Sequence, residues 1–240
     1  MHRRRFLIAT TGAAAAVATG ILPSALTPEL IHTKDAFAVS LENILKQSKD
    51  RGKAIFGSTE VGSRSFKAIP KWARILKQMQ VEGPALRRCT ENSANCNQDA
   101  MKAWNRIILE AGPLSRPKKI LNVNRYFNRW PYKLDREIYG TSEYWASPME
   151  FMRRSGDCED FAIAKFFALR HLGFKNEEMR IVILWDQIRA VGHAVLAVYI
   201  KDDILVLDSL SDVVLSHVKY KQYVPQYSMN ETTRWAHVKV

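Results

Sequence analysis

The stretch Gly156-Asp157-Cys158-Glu159-Asp160-Phe161-Ala162-Ile163-Ala164-Lys165-Phe166-Phe167-Ala168-Leu169-Arg170-His171-Leu172-Gly173 decides the fold. From Cys158 to Leu172 it is apolar nearly all round, with Phe161, Ile163, Phe166, Phe167 and Leu169 leaving only a narrow polar face. A helix of that kind is surrounded by other elements, and Gly173 supplies the left-handed stop. Downstream the period changes to two. Segments 180–186, 193–200 and 203–208 are short, β-branched and bounded by turns, and Lys201-Asp202-Asp203 reads as a tight hairpin. Upstream, residues 70–80 and 98–110 repeat at three and four, and a third helical pattern over 120–130 ends before Pro131. The order predicts an α+β domain in which a buried helix packs on a C-terminal antiparallel sheet, with further helices on the N-terminal side.

The chain has 240 residues, 47% hydrophobic and 25% charged, with 11 Gly and 9 Pro, which excludes collagen-like and disordered classes. Its first 38 residues read as an export signal. Arg3-Arg4-Arg5 precede Phe6-Leu7-Ile8 and a mild Ala- and Gly-rich run, and Ala36-Phe37-Ala38 offers a small-x-small cleavage site. The paired arginines before a weakly hydrophobic segment fit a twin-arginine signal, although His2 stands where Ser or Thr is usual. The expectation is a mature domain, residues 39–240, in a bacterial periplasm, with no stable membrane insertion once the signal is removed. A retained N-terminal anchor is the alternative.

An oxidising compartment permits disulfides. Cys89 and Cys96 lie seven apart in a polar loop and can pair, which leaves Cys158 as a lone thiol among Asp157, Glu159 and Asp160. Residues 39–140 carry 20 basic and 9 acidic side chains, whereas residues 141–240 carry 12 and 13. That excess could meet an acidic partner by long-range attraction, or be no more than a solvated basic face. Nucleic acid is not expected, since the cations are dispersed singly among apolar residues and no recognition motif is present.

The chemistry converges on Cys158, His193 and Asp208. A thiol attacks carbonyls as its thiolate, so it needs a positive environment and a nearby base, and a helix start beside an imidazole provides both. Gly156-Asp157-Cys158 puts the sulfur where the buried helix begins. A hairpin turning at Lys201-Asp202 brings His193 and Asp208 opposite one another to within about two residues, so the carboxylate can orient the ring. Singly, His193 reads as a strand-end residue and Asp208 as a turn-initiating acid. His171, His217 and His237 lack such context and read as surface residues.

The runs Tyr144-Trp145-Ala146-Ser147-Pro148-Met149-Glu150-Phe151, Gly156 to Lys165, Gly192-His193-Ala194-Val195-Leu196 and Val206-Leu207-Asp208 resemble the bacterial transglutaminase-like cysteine proteinase family. The resemblance spans roughly residues 54–240. It implies a papain-like, transglutaminase-type core with Cys158 as nucleophile, His193 as general base and Asp208 as orienting acid. It also implies proteolysis of a large surface adhesin near its N-terminus, at a pair of alanines, with release of cells from a biofilm. An inner-membrane cyclic di-GMP receptor that sequesters the protease is implied as a partner. Calcium is implied as cofactor (Ca2+), held by the acids flanking the nucleophile, here Asp157, Glu159 and Asp160.

Three carboxylates beside a thiol oppose its ionisation, and a divalent cation would cancel that repulsion. Further oxygens would come from elsewhere, with the region Asn122 to Asp135 as a candidate; read blandly, the three acids only complement the helix dipole. The resemblance departs at Ser209, where many relatives carry Asn. The sequence does not assign the oxyanion hole: the Cys158 amide is a natural donor, and the segment near Trp145 is one candidate for a second. Two other functions use the same residues: acyl transfer to an amine, which would cross-link proteins, and a non-enzymatic binding module.

Overall fold

A computed structural model of the chain describes residues 55–239. The export signal expected at residues 1–38 lies outside the described residues. Six helices follow the first strand: α1 (Pro70–Glu91), α2 (Asp99–Ala111), α3 (Arg116–Phe127), α4 (Asp135–Tyr139), α5 (Pro148–Arg154) and α6 (Cys158–His171). The strands are β1 (Ser58–Ser63), β2 (Met179–Asp186), β3 (Val191–Ile200), β4 (Asp203–Asp208), β5 (Ser211–Ser216), β6 (Tyr223–Met229) and β7 (Arg234–Lys239). They form one antiparallel sheet in the order β1-β7-β6-β2-β3-β4-β5. The fold is the expected α+β arrangement of a buried helix against an antiparallel sheet.

The central helix α6 is buried along its length, from Asp160 to Leu169, and packs chiefly on β3 and α3. Phe166 meets Trp72 edge-on at 5.9 Å between ring centroids, and Phe167 stacks on the same indole. Strands β3 and β4 read as continuous apolar runs because both faces of the sheet are covered. Leu196, Val198, Leu205 and Leu207 face the helical layer, whereas Val195, Ala197, Ile204 and Val206 join Ile55, Val182, Leu184 and Tyr223 in a second core. Strand alternation assigns His193 to the face of Val195 and Ala197, and Asp208 to that of Ile204 and Val206.

Several local expectations change. Helix α1 continues to Glu91 through Pro84, so Cys89 sits on its last turn rather than in a loop, and bridges to Cys96. A proline there removes one intrahelical bond, which the packing of Trp72, Ile75 and Leu86 outweighs. Helix α3 starts at Arg116, with Pro117 in its first turn, four residues before the helical pattern read from residue 120. The sheet is not wholly C-terminal, because β1 precedes the helices and pairs with β7. Two histidines read as surface residues are interior. His237 bridges Ser58 Oγ (2.7 Å) and Ser228 Oγ (2.8 Å), and His217 Nδ1 accepts from the Phe56 amide at 3.0 Å. His217 fastens the segment at Ile55–Gly57 to the turn after β5, and His237 ties β1 to β6 across β7.

Truncating the ring that joins α6 to α1 should leave a cavity that this layer cannot close. Phe166→Ala is expected to lose about 3–5 kcal/mol in urea unfolding; a loss below about 1 kcal/mol would contradict the packing described.

Candidate active site

The site begins with a sharp turn between α5 and α6. Ser155 adopts a left-handed conformation (φ 70°), costly for a residue with a Cβ, and is held there on both sides. Its amide donates to Phe151 O at 2.7 Å and its hydroxyl to Pro131 O. Gly156 follows. A Cβ at that position would lie 2.0 Å from Asp160 Oδ2, so only glycine lets the Asp160 carboxylate fold back under the turn. There Asp160 accepts the Ala146 amide (2.5 Å) and the Asp157 amide (3.3 Å), tying the 145–147 segment to the first turn of α6. Tyr132 bridges Gly156, and the Lys133 amide donates to Gly156 O. The sulfur of Cys158 therefore leaves a turn fixed from three directions.

Cys158 and His193 line one cleft of about 550 Å³. Tyr132, Leu134, Trp145, Val191 and Tyr227 give it apolar walls, and Arg189 stands at its rim on the β2–β3 turn. Asp208 lies behind the imidazole. The pairing Leu196↔Leu207 through Ile200↔Asp203, turning at Lys201-Asp202, leaves His193 and Asp208 two positions out of register. His193 Nε2 meets Asp208 Oδ1 at 2.8 Å, with both side chains 2% exposed. Since a neutral imidazole carries one N–H, the carboxylate draws it to Nε2 and leaves the lone pair on Nδ1.

Asp208 is gripped more completely than the sequence indicated. Tyr223 Oη donates to Oδ2 at 2.7 Å and the Leu210 amide to Oδ1 at 3.0 Å. Burial alone would raise this carboxyl, but the bonds from His193 and Tyr223 hold it below its ordinary 3.8. Ser209, the point of departure from the family pattern, takes no part: its hydroxyl is buried without a hydrogen-bond partner. Tyr223 also packs edge-on to the His193 ring at 5.8 Å. Nothing in the local pattern around Tyr223 distinguished it from a core tyrosine.

The acids around Cys158 divide into two groups sharing Asp157. One oxygen or sulfur from each of Asp157, Cys158 and Glu159 lies within 4.8 Å of the others, as does one oxygen from each of Asp135, Asp157 and Asp160. Glu159 turns toward the thiol, with Cys158 Sγ 3.3 Å from its Oε2. Asp160 turns inward, and Asp135, from the region expected to add oxygens, completes the buried group. Burial, reinforced by Glu159 and Asp135, pushes Asp157 up to about 9, and burial likewise raises Asp160. Asp157 Oδ1 and Asp135 Oδ1 are buried without a hydrogen-bond partner. Clustered, orphaned carboxylate oxygens are the donor set a hard divalent cation takes, so the residues fit such an ion.

Without a cation, the thiol is strongly disfavoured as thiolate. Burial raises Cys158 well above its ordinary value, and Glu159 and Asp157 raise it further, against a lowering contribution from the Ala194 backbone amide.

The sequence profile described as bacterial transglutaminase-like cysteine proteinase (BTLCP) matches residues 84–240. Among solved structures, LapG of Legionella pneumophila is 29% identical over 63% of this chain and 85% of its own, with a TM-score of 0.55. Its calcium-bound form is 31% identical over 60% and 83%, with a TM-score of 0.53. An EGTA-treated form is also similar, at 29% identity over 63% and 84% and a TM-score of 0.55. No curated protein sequence matches the chain significantly.

The depressed Asp208 pKa fixes the sign of one pH dependence. Its charge stabilises the fold above about pH 4 and that contribution is lost as pH falls through the folded-state value. The difference in unfolding free energy between the wild type and Asp208→Asn should therefore be widest near neutrality and narrow toward about pH 2. A difference independent of pH in urea titrations would contradict the assignment.

Proposed function

The chain belongs to the bacterial transglutaminase-like cysteine proteinase family and is a cysteine peptidase, and on that premise we propose that Cys158, His193 and Asp208 carry its reaction. The single observation supporting this most is the buried His193–Asp208 hydrogen bond in the cleft that holds the chain's one free cysteine. Nδ1 of His193 takes the Sγ proton, and the sulfur attacks the scissile carbonyl carbon. The negative charge on the carbonyl oxygen meets the backbone amide of Cys158 at the start of α6. As the C–N bond breaks, the imidazolium returns its proton to the departing amine, leaving a thioester. Water then gives a proton to Nδ1 and its oxygen to the acyl carbon, and the sulfur leaves as the thiol's conjugate base. Asp208 stays ionised throughout, orienting the ring and stabilising the imidazolium.

We propose calcium as cofactor, with Asp157, Asp160 and Asp135 as its principal ligands and Glu159 beside them. The calcium-bound form of the Legionella relative and the orphaned oxygens here support it. When bound, the ion neutralises carboxylates that otherwise oppose a thiolate and holds the turn from which the sulfur projects.

The substrate implied by the resemblance is a large surface adhesin cut near its N-terminus, with biofilm release as the consequence and an inner-membrane cyclic di-GMP receptor as sequestering partner. The basic excess over residues 39–140 favours an acidic surface on one of these proteins. The N-terminal arginine pattern and the Cys89–Cys96 bridge support a periplasmic location. Among the described residues no helix is long and apolar enough to cross a membrane.

Incubating the protein with adhesin N-terminal fragments, with calcium and with chelator, tests the proposal. Shorter fragments are expected with calcium and none with chelator, with recovery on adding excess calcium. Higher-mass adducts would mean amine transfer, and a stable complex without either product a binding module. Cys158→Ala should abolish cleavage with its unfolding transition nearly unchanged, since alanine is well tolerated at a helix start. Cleavage by that variant would reject the mechanism.

A further inference from the structure

A lysine lies fully buried in the middle of the apolar helix. Lys165 is 0% exposed, seven residues beyond Cys158 on α6. Burying an ammonium costs more than burying an apolar side chain of similar length, so packing does not account for it. Burial pulls its pKa down to about 7, while Asp208 and Asp212 pull the other way. Its Nζ donates to Asn124 Oδ1 at 2.8 Å and to Asn128 Oδ1 at 2.7 Å, one on the last turn of α3 and the other at its C-cap.

The consequence lies on the far side of those amides. Lys165 donates to both amide oxygens, so each asparagine turns its oxygen toward Lys165 and its NH2 away. The NH2 groups then meet the β4–β5 turn. Asn124 Nδ2 donates to Ser211 O at 2.8 Å, and Asn128 Nδ2 donates to Ser211 O at 2.9 Å and to Asp208 O at 3.0 Å. Both ends of the turn that carries Asp208 are thus anchored through amides whose polarity the lysine sets. With an apolar residue in its place, either amide could rotate and set oxygen against carbonyl oxygen. The turn would lose its anchor at the residue whose carboxylate meets His193.

We propose that Lys165 is a positioning residue: through Asn124 and Asn128 it fixes the Asp208 backbone so that the carboxylate holds His193 Nε2. This rests on the His193–Asp208 pair serving Cys158 in peptide hydrolysis. The lysine touches no substrate and acts only through the two asparagines.

The test follows the His193 ring N–H by NMR in histidine-15N-labelled protein, alongside cleavage kinetics, in Lys165→Met and Asn128→Asp. Asn128→Asp keeps an acceptor for Lys165 but cannot donate to Asp208 O or Ser211 O. In both variants solvent exchange of that N–H is expected to accelerate at least about tenfold, and kcat to fall about tenfold with KM within about twofold. Exchange unchanged in either folded variant overturns the proposal. Should Lys165→Met fail to fold, Asn128→Asp decides it alone. Failure of the hydrolytic reading is separate, because it appears as no cleavage by the wild type and leaves the exchange measurement standing.

Discussion

The structure depends on a contest of fields at one sulfur. Cys158 opens a fourteen-residue helix whose backbone dipole favours negative charge at that end, yet it is packed between Asp157 and Glu159, which oppose it. Fully exposed carboxylates would be screened by water; these are half-buried, so their repulsion is screened less. An imidazole to accept the proton and a cation to neutralise the acids are the two ways the balance can tip toward thiolate. The fold supplies the first from the sheet and gathers oxygens fit for the second.

Everything that positions the sulfur is backbone under constraint. The left-handed Ser155, the glycine that admits the Asp160 carboxylate and the Tyr132–Gly156 bridge leave the turn little freedom. The His193 imidazole is held as firmly from the other side. His193 and Asp208 come from adjacent strands, and Tyr223 reaches in from β6 to occupy the carboxylate oxygen that the imidazole leaves. Two rigid bodies, a helix start and a three-strand corner, thus meet across one cleft. Preorganisation of that kind would let the proposed thiol–imidazole pair act without rearranging the protein around it.

Much of this was legible in the residues. The all-round apolar character of 158–172 marks a central helix, and the hairpin at Lys201-Asp202 places His193 and Asp208 together from register alone. What the sequence did not disclose came from long-range contacts. Tyr223 and Asp135 join the site across 15 and 22 or more residues, and no periodicity links them to it. Strand β1 was missed because its polar alternation is weak and its partner β7 lies at the other end of the chain. His217 and His237 were misread for the same reason: their partners, Phe56 and Ser58, are distant in sequence. Lys165 was visible as a cation in the middle of an apolar helix, but its purpose required knowing which amides it faces.

The ionisation of Cys158 is most directly measured by its rate of alkylation with iodoacetamide as a function of pH, in the calcium-loaded wild type and in His193→Gln. The account predicts half-maximal reactivity below the free-thiol value of about 8.5 in the wild type, and a rate at neutral pH at least about tenfold lower without the imidazole. Equal rates in the two proteins, with reactivity rising only above that value, would contradict it.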